Sequence, residues 1–200
     1  LAPRFAGRSD ELAELERVVR DVRQGAPRVV LVEGESGIGK TGLVSEFLRL
    51  LARRDPGAYV LRARCYENEA LAYKAFDGAM DDLAQKLKRL DVKSCENLLP
   101  PRAGLLCRVF PVLGTVQALA HAPQRGVPAD PNAQRLEAFR ALFRLLEKLA
   151  ESRLVVLSID DLQWADLESF QLLELLLDDP HPPNLLIVAT VRPGEELEGA

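Results

Sequence analysis

The chain has 200 residues, 48% of them hydrophobic, with 30 acidic and 26 basic side chains and a net charge of −4. That is enough sequence for one α/β domain with a substantial core, and the charge excludes a global attraction to nucleic acid or to an anionic membrane surface. The longest apolar runs, such as Leu185–Ala189, fall far short of the ~20 residues of a membrane-spanning helix. Cys65, Cys95 and Cys107 are an odd set without metal-ligand spacing, which predicts reduced thiols packed as small core residues in a cytoplasmic protein. A start at Leu1 without a basic-then-apolar leader reads as an excised part of a longer protein.

In chain order, Ser9 predicts a helix N-cap, and Leu12, Leu15, Val18, Val19 and Val22 have the spacing of an amphipathic helix ending near Gly25. The β-branched run in Arg28–Glu33 has the character of a buried strand and leads at once into a glycine-rich turn. A second helix is predicted from Lys40 or Thr41, with Leu43, Val44, Phe47, Leu48 and Leu51 on its apolar face. Asp55, Pro56 and Gly57 stop it before a strand at Ala58–Ala63. The stretch from Tyr66 is less regular: Phe76, Met80, Leu83, Leu87 and Leu90 predict one helix, and Pro100, Pro101, Gly104, Pro111 and Gly114 divide the rest into short helical pieces. Residues 66–130 therefore read as a helical insertion, with a loop at Ala122–Pro131. Asp130 as N-cap and Pro131 at the first helical position open a long helix carrying Leu136, Phe139, Leu142, Phe143, Leu146 and Leu149. Leu154–Ile159 predicts an apolar strand, a helix follows from about Asp166, and Leu185–Val191 predicts a last buried strand. Helical sequence joins each consecutive pair of strands, which predicts a parallel sheet.

Gly34-Glu35-Ser36-Gly37-Ile38-Gly39-Lys40-Thr41 fits the pattern G-x-x-x-x-G-K-[ST] between a predicted strand and a predicted helix, the context in which it forms a phosphate-binding Walker A loop. Gly34, Ser36, Gly37, Ile38, Gly39, Lys40, Thr41 and Gly42 are the candidate nucleotide-binding residues. Glycines let successive backbone N–H groups curve around a polyphosphate, and the following helix points its positive dipole end at the same place. Lys40 is placed on the β- and γ-phosphates and the Thr41 hydroxyl on Mg²⁺. The third predicted strand delivers Asp160 and Asp161 at its C-terminal end, where ligands of open α/β sheets bind. Asp160 is the candidate metal-holding residue beside Thr41, and Asp161 the candidate for orienting or deprotonating an attacking water; spacing leaves open an exchange of these two roles. Arg192, directly after the last strand, is either a solvated strand-end arginine or a cation that reaches a γ-phosphate. The ligands so named are ATP or ADP with Mg²⁺.

These segments, together with Phe5-Ala6-Gly7-Arg8, Glu11-Leu12, Asp160-Asp161-Leu162-Gln163-Trp164-Ala165-Asp166 and Thr190-Val191-Arg192-Pro193, make the chain similar over nearly its whole length to STAND-type P-loop ATPases of the AAA+-like lineage. Such ATPases occur in large LuxR-type and maltose-regulon transcription activators and with class III nucleotide cyclases. Arg64-Cys65-Tyr66-Glu67, Tyr73-Lys74-Ala75-Phe76-Asp77 and Val109-Phe110-Pro111-Val112-Leu113 resemble more narrowly the ATPase segment of large bacterial serine/threonine kinases. The resemblance implies a three-layer α/β P-loop NTPase of the ASCE, AAA+-like kind over residues 1–200, with strand order 5-1-4-3-2. It also implies that the fifth strand and a C-terminal lid follow beyond this sequence, so the P-loop strand is expected at an open edge prone to self-association. Arg8 and its neighbours are implied to line the adenine or ribose side, Arg192 to sense the γ-phosphate, and covalently linked regulatory or effector domains to be the partners. On the residues alone, Phe5 reads equally as a staple for the first helix, Arg8 as a surface charge, and Trp164 as packing. The usual second acid in related ATPases is glutamate; Asp161 is one methylene shorter, which implies slow hydrolysis.

The expected function is a signalling switch that binds Mg-ATP and hydrolyses it slowly. Two other readings compete: a module in which nucleotide is a structural ligand only, and a small-molecule P-loop kinase. The kinase needs an arginine-bearing lid, whereas Arg135, Arg140 and Arg144 read as the solvated side of a helix. A nucleic-acid motor ranks last, because no basic stripe with interleaved aromatics is present, and no membrane contact is expected.

Overall fold

Four strands carry the β-branched and leucine-rich runs in the computed structural model, which describes residues 7–67, 72–123, 126–178 and 182–194. Phe5, Ala6 and the centre of the loop read at Ala122–Pro131 lie outside the described residues. The strands β1 (Arg28–Glu33), β2 (Tyr59–Arg64), β3 (Val155–Asp160) and β4 (Leu185–Val191) form one parallel sheet in the order β1-β4-β3-β2. Eight helices alternate with them: α1 (Ser9–Arg23), α2 (Lys40–Arg54), α3 (Lys74–Leu87), α4 (Val92–Leu98), α5 (Leu106–Val109), α6 (Gln117–Ala120), α7 (Pro131–Ala150) and α8 (Leu167–Leu177).

Alternation along the strands splits the core in two, as a pleated sheet with both faces covered requires. Val60, Val156, Leu186 and Val188 pack against α1 and α2, whose Leu15, Val19, Leu43, Phe47 and Leu51 are buried. Leu61, Val155, Leu157, Ile159 and Ile187 pack on the opposite side against α3, α7 and α8 and against the short helices between α3 and α7. Helix α3 lies directly on β2: a Cβ at Gly78 would sit 2.8 Å from the Arg62 carbonyl oxygen, so only glycine admits this approach. The apolar face predicted for α2 is buried in full. Asp130 caps α7 as its sequence predicts, accepting from the Ala133 N–H at 2.8 Å.

Four expectations are corrected. Arg28–Glu33 is a strand at the predicted bounds but not a buried one: among the described residues β1 pairs only with β4, and Val29 and Leu31 are 47% and 59% exposed. Its apolar composition mimics a central strand because composition records propensity and not the number of neighbours. Ser9 is the first residue of α1 rather than its cap; Arg8 occupies the N-cap position with no side-chain capping bond. Leu136 of α7 is exposed although it follows the apolar spacing, since the buried face of the helix begins only at Ala138. The strands predicted at Ala58–Ala63 and Leu154–Ile159 each run one residue further along, which brings Arg64 and Asp160 into the ladder as register partners.

Candidate nucleotide-binding site

The site is assembled from the turns that follow β1 and β3. After β1 the chain makes a loop whose Gly37 and Gly39 take φ of +80° and +94°, conformations that an L side chain adopts only with strain. Gly39 is the N-cap of α2, so residues 40–42 form its first turn, where backbone N–H groups have no partner within the helix. That combination has the chemistry of an anion-binding cradle. Gly34 is held by proximity: a Cβ there would meet the Ile38 Cγ2 at 3.1 Å. Lys40 is only 7% exposed and folds back over the loop, its Nζ donating to the Gly34 carbonyl at 2.5 Å and the Glu35 carbonyl at 3.0 Å. Two of the three ammonium hydrogens are thus engaged by the loop.

The loop after β3 meets this cradle edge on. Thr41 Oγ1 donates to both Asp160 carboxylate oxygens, at 2.9 and 3.1 Å, joining two residues 119 positions apart in sequence. Thr190 of β4, 1% exposed, donates to Asp160 Oδ1 at 2.7 Å and accepts the Asp161 N–H at 2.8 Å. One hydroxyl therefore fixes both acids. Asp161 takes φ +57°, which aspartate tolerates better than most residues; Gln163 Nε2 donates to its Oδ1 at 3.2 Å. Arg64 of β2 completes the cluster, with Nε 3.7 Å from Asp160 Oδ2 and one Nη 3.5 Å from Asp161 Oδ2.

All sequence-predicted site residues lie within the described residues, and several are brought into contact. Arg8 reaches the phosphate loop, donating to the Ile38 carbonyl at 2.5 Å, with Glu11 3.8 Å away. Ser36, Gly37, Ile38 and Gly39 are exposed on that loop, and Gly42 is exposed in the first turn of α2. Arg192 lies over the Trp164 ring, its Cζ 5.8 Å from the centroid, while Trp164 itself packs against the core beside α8. Arg140 and Arg144 are exposed and paired along their own helix with Glu137 and Glu147.

Thr190, Arg64, Gln163 and Asp166 gain structural roles that residue spacing does not reveal. A lone hydroxyl in an otherwise apolar strand was the available signal for Thr190. Asp166 precedes α8 but does not cap it; its carboxylate crosses to the N-terminus of α3, accepting the Tyr73 N–H at 2.6 Å and the Lys74 N–H at 3.0 Å. Ser169, whose hydroxyl donates to Asp166, accepts the next amide, that of Ala75, at 3.1 Å. Burial pushes the Asp166 carboxyl up, but the Ser169 hydroxyl and these backbone donors outweigh it and hold it below the ordinary aspartate range. Cys65, Cys95 and Cys107 form no disulfide, and burial pushes Cys95 and Cys107 up, away from reactivity.

The donor set suits a hard cation. Thr41 and Asp160 offer oxygen only, and no cluster of three or more His, Cys, Asp or Glu side chains occurs among the described residues. Mg²⁺ takes few protein ligands and fills its octahedron with water and phosphate oxygens. No helix among the described residues is long and apolar enough to cross a membrane.

Comparison with known proteins agrees with this geometry. The family model described as "AAA ATPase domain" matches residues 4–188. An uncharacterized protein of Rhizobium meliloti (strain 1021) is 27% identical over 199 aligned residues, covering 93% of this chain and 18% of that protein. A hybrid signal transduction histidine kinase G of Dictyostelium discoideum is 23% identical over 179, covering 86% of this chain and 5% of the kinase. The chain thus spans less than a fifth of either relative. A phosphate cradle and an acidic strand end on one parallel sheet, under a family model that covers most of the sequence, place the chain in the AAA ATPase domain family.

Proposed function

We propose that the chain is the Mg-ATP-dependent switch of a larger signalling protein and that it hydrolyses ATP slowly. The observation that carries this reading is the Thr41–Asp160 contact, which sets a metal-ligand hydroxyl and a metal-ligand carboxylate side by side at the mouth of the phosphate cradle. Lys40, 7% exposed and tied to the Gly34 and Glu35 carbonyls, is the charge for the β- and γ-phosphates. Bound Mg²⁺ would supply charge neutralisation on the phosphate oxygens. Asp161, beside Asp160 and steadied by Gln163, is suited to orient the attacking water. Its short side chain and its ties to Gln163 and Arg64 favour low turnover. Arg192 is proposed as the γ-phosphate sensor and Arg8 as a residue of the nucleoside side. The open edge of β1 supports weak, salt-insensitive pairing between copies, which sedimentation at rising concentration reads directly. A relative whose printed name is a signalling kinase agrees with linked regulatory or effector domains.

The decisive experiment is thermal unfolding with and without Mg-ADP. At ligand a hundredfold above Kd, linkage gives ~2.7 kcal/mol, roughly 5 to 10 °C in Tm at this size. Lys40→Ala should lose the shift. An undiminished shift in that variant removes Lys40 from the binding site.

A further inference from the structure

We propose that Arg64 is a cationic place-holder that offsets the charge of Asp160 and Asp161, competes with the divalent metal for Asp160 and is displaced when the metal binds. The inference rests on the reading of Asp160 as the metal-holding carboxylate and goes beyond it to a residue on another strand.

The placement is built into the sheet. Parallel pairing of β2 with β3 makes Arg64 the register partner of Asp160, on the strand end where both side chains leave the ladder. Its guanidinium faces Asp160 Oδ2 at 3.7 Å and Asp161 Oδ2 at 3.5 Å. Both separations are ion pairs longer than a hydrogen bond, so the arginine supplies charge without fixing either carboxylate. The fixing is done by the Thr41 and Thr190 hydroxyls and the Gln163 amide. The Arg64 side chain is 53% exposed, in the range where an ion pair contributes little and is readily exchanged. The guanidinium is not held by the acids alone, because its carbon already lies 5.3 Å from the centroid of the Tyr66 ring, within cation–π range. Arg64, Tyr66, Thr41 and Asp160 share the wall of one cleft of about 380 Å³ between α2, β2 and α3.

The electrostatics then run one way. Two adjacent carboxylates repel each other, and a single guanidinium between them offsets that repulsion. Mg²⁺ takes its oxygen ligands at about 2.1 Å, which brings a doubly charged ion close to the arginine and makes its original position repulsive. Metal entry must expel the guanidinium, and removing the guanidinium must ease metal entry. A residue with a merely structural role has no such effect.

The test is the magnesium dependence of nucleotide binding, read as the free Mg²⁺ concentration at half-maximal binding of a fluorescent ADP analogue. Arg64→Gln should move that midpoint down about three- to tenfold, the range expected for losing one exposed like-charge neighbour of the metal. Arg64→Lys should stay near the wild-type midpoint. Arg62→Gln, which removes an equal charge from the same strand at a residue paired with Asp82, should also leave it in place. Without metal, Arg64→Gln should melt below wild type, and saturating Mg-ADP should close the gap. An unchanged or raised midpoint in Arg64→Gln, or an equal fall in Arg62→Gln, overturns the inference. Loss of magnesium dependence in Asp160→Asn is the expected control; a wild-type protein whose nucleotide binding ignores magnesium overturns the reading of Asp160 itself, and the inference with it.

Discussion

The two loops that meet at Thr41 and Asp160 are built in opposite ways. The loop after β1 is local: its left-handed positions belong to Gly37 and Gly39, and Lys40 bonds to carbonyls five and six residues away. The loop after β3 is tertiary. Its left-handed residue is Asp161, and its acids are held by Thr190 of β4, Thr41 of α2 and the Gln163 amide. A phosphate cradle needs backbone N–H groups, which any sequence supplies once glycines permit the curve. An acid that must sit at one point relative to a metal needs rigid supports, and neighbouring strands provide them.

The largest expected effect tests whether the tertiary loop carries the chemistry. Asp161→Asn keeps a side chain that tolerates positive φ, so nucleotide-induced stabilisation should persist while single-turnover hydrolysis falls ~10² to 10³-fold. Asp160→Asn should instead weaken magnesium dependence; exchanged phenotypes would reverse the assignment of the two acids.

The local loop breaks differently. Nothing lies within 4 Å of a Cβ placed on Gly39, so Gly39→Ala meets no clash and its cost is conformational, about 1 to 3 kcal/mol at φ +94°. Chemical denaturation should show that loss, with nucleotide affinity reduced as well. A Gly39→Ala protein as stable as wild type would mean the loop has another low-energy conformation. On the tertiary side, Thr190→Val nearly conserves shape yet strips the Asp161 N–H of its acceptor and Asp160 of a donor. Leaving a buried donor unpaired costs about 1 to 2 kcal/mol, and Thr190→Ser should recover most of it.

The smallest effect concerns pH. The folded-state pKa of Asp166 is depressed relative to the unfolded chain, so its contribution is fully present above the unfolded value and disappears as pH falls through the depressed folded value. Asp166→Asn leaves one acceptor oxygen where the Tyr73 and Lys74 amides each use their own, and should therefore cost about 1 kcal/mol at neutral pH. The difference from wild type should shrink only in acid, below the ordinary aspartate range. A gap that is constant from neutral to strongly acidic pH would show that the charge of Asp166 is immaterial to capping α3.

Sequence by itself determined the elements and the position and turn geometry of the loop after β1. Periodicity is a short-range signal, and the strands and most long helices were legible to within one or two residues because their neighbours in sequence are their neighbours in space; the spacing that carried α3 on to Leu90 overran its end at Leu87. The glycines, Lys40 and Thr41 were legible for the same reason, as was the acidic pair at a strand end. The edge position of β1 was legible only through the family resemblance, since Val29 and Leu31 have the composition of a central strand; among the described residues β1 pairs only with β4. Tertiary structure alone decided two things. It decided that Asp166 caps α3 rather than the helix it precedes. It also decided that Thr190 and Arg64 converge on Asp160. Strand order is set by long-range crossover connections, and a side chain's partners across a ladder follow from that order and not from anything within reach along the chain.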